Sequence, residues 1–424
     1  MMKVQTSSED ICQFLYTLAR DRMGENVWLE LNNVRTLIVQ NISDADYILR
    51  RNYTNYEKNM VWFKQALGTS RFFENGTAWK KHKNLTQPYL NSFDDKHVLK
   101  LSIKYGREAL DEFSSSNQPR LNDKTFREMA MAIFIESFFF IPFKETGLDI
   151  ESIAELMAYS SAFSFIPANT NGSDNREKIV KLRRIRRRVR DSLAMFRNMS
   201  SDIHMINRMI NAESEQKSKF IMEDEIMTFL AAGSESTAAA MSWICYLLAC
   251  NPSVQESLHQ EVISYPEPKC WGDLIKMQGL LTFISESVRH YPPVPLIIRQ
   301  SLSADVIGSE QIGEKENIII SFIGIMHDEQ QYQNPWGINI TPPPYCPLKD
   351  KNSALNLAFS RGPRICGGKD FALIEMASLV YIFLKYACFS LTSDSLPVFH
   401  WRSQLLCKDG QPVKVILRSD ISRR

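Results

Sequence analysis

Near the C-terminus, the run Phe359-Ser360-Arg361-Gly362-Pro363-Arg364-Ile365-Cys366-Gly367-Gly368 surrounds one cysteine with three glycines and a proline. Such a run folds as a tight loop that fixes the direction of a sulfur. A helical stretch follows, from Lys369 to Phe389, and the partial positive charge of a helix N-terminus favours thiolate over thiol. A thiolate held this way serves as a nucleophile or as a metal ligand. None of the seven histidines stands nearby in sequence to act as a base. Catalytic partners are often remote in sequence, so both chemistries stay open at this point. The other cysteines, Cys12, Cys245, Cys250, Cys270, Cys346, Cys388 and Cys407, form no C-x-x-C pair and read as reduced, buried side chains.

A second constellation is Ala232-Gly233-Ser234-Glu235-Ser236-Thr237, inside an Ala-rich apolar segment. A carboxylate in an apolar interior costs several kcal/mol unless paired or solvated, and glycine weakens a helix. The run reads equally as a core helix whose acid finds a partner, or as a groove for a small ligand beside an acid and a hydroxyl able to pass protons. A third is Glu286-x-x-Arg289, three apart on one helical face and followed by His290-Tyr291-Pro292-Pro293.

These groups need elements to hold them. The segment 222–250 predicts a long interior helix stopped by Asn251-Pro252, and 271–291 predicts the helix carrying Glu286 and Arg289. Val27–Leu31 and Arg35–Val39 alternate as a short strand pair, after which Ser43-Asp44 caps a helix running towards Arg51. From Trp79 to about Ile210 the pattern is helical, with breaks at prolines. Helix dominates, no repeat appears, and the absence of a βαβ rhythm excludes a doubly wound sheet.

The chain has 424 residues and 50 basic against 48 acidic side chains, so no bulk charge argues for nucleic acid. Residues 1–26 read as a short non-membrane segment, with neither an unbroken signal-peptide core nor a membrane span. The expectation is a soluble, cytoplasmic protein. The basic run from Lys178 to Arg190 reads as a solvated helix, with Ile179, Val180, Leu182, Ile185 and Val189 as its buried stripe.

Taken together these residues resemble the cytochrome P-450 family of haem-thiolate monooxygenases. The family's F-x-x-G-x-R-x-C-x-G is met by Phe359, Gly362, Arg364, Cys366 and Gly368, and Ala372 fits its extension. Glu286 and Arg289 match its E-x-x-R, and Ala232, Gly233, Glu235 and Ser236 match its A/G-G-x-D/E-T/S. Trp79 stands for the tryptophan of W-x-x-x-R, with Lys83 in the arginine's place. The family's basic partner for the E-x-x-R pair is missing from Thr341-Pro342-Pro343-Pro344-Tyr345, so the pair stands alone or finds another partner.

The resemblance implies one mainly α domain over residues 1–424 with small β-sheets, a triangular prism crossed by a long distal helix. It implies haem b (iron protoporphyrin IX) with Cys366 as iron ligand, a thiolate that favours O–O cleavage, and Phe359 shielding the sulfur. Trp79, Lys83, Arg299 and Arg364 are candidate partners of the propionates. Gly233 would widen the helix for dioxygen beside Ala232, and Glu235, Ser236 and Thr237 would relay protons. The reaction implied is insertion of one oxygen atom from O2 into an apolar small molecule, as in secondary metabolism.

Electrons would come from a ferredoxin or flavodoxin with its NAD(P)H reductase, docking on Lys80, Lys81, Arg361 and Lys369. Apolar side chains such as Phe163, Phe165, Ile166, Ile297 and Ile298 would face the substrate. Two rival readings are a peroxide-driven hydroxylase or decarboxylase and a non-catalytic haem protein. The intact Glu235-Ser236 pair argues against both.

Overall fold

The computed structural model describes residues 2–116, 120–165, 173–198, 204–215, 220–339, 347–351 and 353–418. Helices form most of it, around one six-stranded sheet and three two-stranded ones. The large sheet contains β1 (Met2–Val4), β2 (Val27–Leu31), β3 (Val34–Val39), β4 (Tyr56–Glu57), β5 (Leu296–Ser301) and β6 (Asn317–Ser321), in the order β1-β2-β3-β6-β5-β4. The expected hairpin is β2–β3, with Trp28 opposite Leu37. β5 runs antiparallel to β6 and sets Arg299 opposite Ile318.

The helices that matter for the site are α1 (Gly76–Leu90), α2 (Asp123–Phe139), α3 (Ser173–Leu193), α4 (Met222–Cys250), α5 (Gln278–His290) and α6 (Lys369–Tyr386). α4 matches its expected bounds and is buried nearly all round, because its apolar residues cover every face. Its first turn carries Glu223, Asp224 and Glu225, acids that suit the positive end of a helix dipole. Each of the three holds a different segment. Glu223 pairs with Arg197 and Asp224 with Arg186 of α3 at 2.7 Å, while Glu225 accepts the backbone N–H of Arg71 at 2.9 Å.

Several expected boundaries shift. The helix expected over 271–291 is broken at 275–277 into a single turn, Trp271–Leu274, and α5. α6 ends at Tyr386, where Ala387–Leu391 pairs as a strand with Val413–Leu417, whose Val413, Val415 and Ile416 are β-branched. The helix after β3 is capped by Asn41, which accepts from the Asp44 N–H, rather than by Ser43, and it widens into a π-helical turn at Tyr47–Arg51. On α3, Leu182, Ile185 and Val189 are buried, but Val180 is exposed. No helix among the described residues is long and apolar enough to cross a membrane.

Candidate active site

The cysteine loop is held by its own backbone. Cys366 N–H donates to Phe359 O at 2.9 Å, and the turn between them needs left-handed backbone at Ser360 and Gly362. At Gly362 only glycine serves, because a Cβ there would stand 2.0 Å from Leu49 O. The Cys366 residue is reached by solvent although protein packs densely around it, as expected of a side chain that opens into an internal chamber. Burial raises its pKa, opposed by the Gly368 N–H and by the charges of Arg71 and Lys369.

α4 carries one open stripe. Ala232, Gly233 and Ser236 are the residues in the middle of this otherwise buried helix that are not buried, and their spacing puts them on one face. Ser236 Oγ donates to Ala232 O at 2.8 Å. Glu235 turns off that stripe and lies 3.8 Å from Arg127 Nε of α2. Burial raises its pKa to about 7, opposed by Arg127 and Arg402 and reinforced by Asp123 and Glu151. A carboxyl poised there both holds and releases protons at neutral pH.

Two expectations for α4 are not met. Gly233 does not widen the helix, which runs unbroken; a Cβ at that position would approach Phe134 of α2 to 2.9 Å, so close helix packing explains the glycine. Thr237 turns away from the open stripe and donates to Glu375 Oε2 of α6 at 2.9 Å. Glu375 is fully buried, its Oε1 has no partner, and burial raises its pKa to about 8.

Arg299 and Arg364 gather with Lys58, which belongs to no sequence motif and whose charge also feels Cys366. Burial pushes all three pKa values down, and Lys58 is further depressed by Arg299, Arg364 and Arg71. Guanidinium groups stay charged at neutral pH. Arg299 makes one hydrogen bond, to Ile298 O, and the Lys58 ammonium lies 3.5 Å from the Phe72 ring centroid with no carboxylate beside it among the described residues. Arg364 donates to Glu74 O and Asn75 Oδ1 and lies over Trp79 at 4.5 Å. Lys83 is turned to the loop, donating to Pro363 O at 2.9 Å.

Buried cations without counter-ions are costly, and a ligand bearing carboxylates relieves them. An iron porphyrin fits this chamber on three observations. A Cβ at Gly368 would meet nothing within 4 Å, which leaves a flat approach beside Cys366. Lys58, Arg299 and Arg364 suit two carboxylates, and the Ala232–Ser236 stripe leaves part of α4 uncovered.

The Glu286–Arg289 pair lies deep and away from the chamber. Arg289 bonds both Glu286 oxygens at 2.9 Å and also donates to Met326 O, Pro335 O and Gly337 O. Three backbone carbonyls thus complete the network; the stretch Thr341–Tyr345 lies outside the described residues, as does Ile166. Of the four residues expected at a docking face, Lys80 and Lys81 are exposed, whereas Arg361 bonds Asp46 and Lys369 bonds Asn356.

Comparison with known proteins shows the family and the fold. A family model described as Cytochrome P450 matches residues 1–411. Cytochrome P450 4A12B of Mus musculus is 30% identical over 248 residues, covering 56% of this chain and 47% of the relative. Taurochenodeoxycholic 6 alpha-hydroxylase of Sus scrofa is 33% identical over 188 residues, covering 43% of this chain and 36% of the relative. The aligned stretches therefore span less than half the length of either relative. The crystal structure of a cytochrome P450DA mutant haem domain shares the fold, with a TM-score of 0.79 at 15% identity over 97% of this chain and 94% of that one.

Proposed function

This chain belongs to the cytochrome P450 family, and on that premise we propose that it is a monooxygenase that inserts one oxygen atom from O2 into an apolar small molecule. The observation that carries the reading is a fixed sulfur, Cys366, which solvent reaches although protein packs densely around it, in a chain whose otherwise buried α4 is open at Ala232, Gly233 and Ser236. Haem b, held by Cys366 and by Arg299, Arg364 and Lys58 at its carboxylates, would supply the oxygen-activating and electron-accepting chemistry. Trp79 and Lys83 brace these groups, through Arg364 and Pro363.

The chain's own groups handle the proton. Ser236 Oγ can accept a proton from water and donate one into the chamber, once its bond to Ala232 O is exchanged. Glu235, next in sequence and poised near neutrality, resupplies that hydroxyl through water from the α2 side. Thr237, bound to Glu375, positions α4 against α6 instead of joining the relay.

Apolar walls exclude bulk water and favour an apolar substrate. Phe163 packs on Trp62, Phe165 on Trp401, and Ile297 and Ile298 line β5 near Arg299. The hydroxylase name of the pig relative supports hydroxylation as the outcome. Electrons would arrive from a ferredoxin or flavodoxin on the exposed Lys80 and Lys81 side. The test is the carbon-monoxide difference spectrum of the reduced, haem-loaded protein. A thiolate-type band in the wild type, lost in Cys366→Ser, is expected; a band indifferent to that change would refute the reading.

A further inference from the structure

A cation that belongs to none of the sequence motifs lies against the cysteine loop. Arg71 Nη2 donates to Gln87 Oε1 at 2.6 Å and Nη1 to Thr86 Oγ1 at 3.1 Å, both acceptors on α1. Gln87 Nε2 in turn donates to Gly367 O at 2.9 Å, the carbonyl of the residue after Cys366. A Cβ built on Gly367 would stand 2.7 Å from Arg71 Nη2, so the guanidinium lies directly on the loop backbone. The other end of the residue is fixed as well: its backbone N–H donates to both oxygens of Glu225, at 2.9 and 3.1 Å.

The Glu225 charge favours this arginine, yet no carboxylate hydrogen-bonds its guanidinium among the described residues. Among the described residues its guanidinium bonds only neutral acceptors, although a largely buried guanidinium is normally matched by an acid. Burial opposes its charge, while Glu225 first and then Cys366 favour it, and the 2.7 Å approach to the Gly367 position sets that charge on the loop holding the sulfur. Arg299 and Arg364 do not share that relation. They gather with Lys58, whose ammonium feels Arg71 and Cys366 as well. A simple strut between α1 and the loop would need the amide of Gln87 but no charge behind it.

We infer that Arg71, aimed through Gln87, is a positioning residue that moderates the electron donation of the Cys366 sulfur and so sets the one-electron reduction potential of iron bound to it. The inference rests on the haem-thiolate reading above. A fixed positive charge beside the ligand favours the reduced, more negative state, and outer groups of this kind tune a metal through its ligand. One electron from an added reductant converts ferric to ferrous iron, and no bond within the protein changes.

The experiment is a dye-coupled dithionite titration of haem-loaded wild type, Arg71→Gln, Arg71→Lys and Gln87→Leu, with haem content and the carbon-monoxide band measured on each. Arg71→Gln is expected to shift the ferric–ferrous equilibrium tenfold towards ferric, about 59 mV for one electron. Arg71→Lys keeps most of the wild-type potential, and Gln87→Leu loses part of it because the charge is no longer aimed. An Arg71→Gln potential within twofold of the wild-type equilibrium, at full haem content, overturns the inference. So does loss of haem from that variant, which would make Arg71 a cofactor anchor. If Arg71→Gln fails to fold, an unchanged potential in Gln87→Leu overturns it instead. A wild type that binds no haem would fell the parent reading, and this inference with it.

Discussion

Replacing Glu375 by glutamine should remove a pH dependence of stability that the fold builds into α6. The side chain is fully buried, accepts one hydrogen bond from Thr237, and has no cation beside it. Burial therefore keeps it protonated up to about pH 8, whereas in the unfolded chain it ionises near its usual 4.5. Between those values the native state binds the extra proton. The stabilisation is fully present below pH 4.5 and is lost as pH rises through 8. From 4.5 to about 8, at 1.36 kcal/mol per unit, the loss amounts to about 5 kcal/mol. Glutamine keeps the carbonyl that Thr237 needs and cannot ionise. Urea unfolding of wild type and Glu375→Gln from pH 5 to pH 9 isolates the effect, since every other titrating group is common to both. The variant should gain on the wild type by several kcal/mol over that range. Parallel stability curves would refute the reasoning.

Two further outcomes follow from the same geometry. Ser236→Ala removes the hydroxyl that faces the chamber and should uncouple turnover, with more peroxide released per NAD(P)H consumed; an unchanged product-to-NAD(P)H ratio would count against its proton role. Arg289→Leu strips Met326 O and Pro335 O of this donor and leaves Glu286 only the Asn339 N–H among the hydrogen bonds described, and should cost about 3–5 kcal/mol in urea unfolding, the range for breaking one side of a buried pair.

The cysteine loop and α4 were legible because their residues obey local rules. A sulfur ringed by glycines admits few backbones, and a helix apolar on all sides has only the interior to occupy. The direction of each side chain was not legible. Glu235, Ser236 and Thr237 are consecutive, yet they point to Arg127, to the chamber and to Glu375, a division set by which helix packs on which face. Gly233 fitted a ligand-space argument by sequence, but its neighbour Phe134 comes from a helix about a hundred residues earlier. Lys58 and Arg71 gave no signal, since a single cation in a mixed stretch resembles any surface residue until the fold buries it. The segment after Leu274 broke because Ile275–Met277 turn between two helices, a change that apolar spacing does not reveal.

The three acids that open α4 carry a consequence for how the protein tolerates change. Glu223, Asp224 and Glu225 occupy neighbouring positions on a single turn, yet they grip Arg197, the α3 arginine and the backbone of the residue that rests on the cysteine loop. The helix can neither slide nor roll without releasing at least one of them. Its rotational setting is thereby indexed at one end, and Ser236, three to four turns further on, inherits its bearing on the sulfur from that clasp.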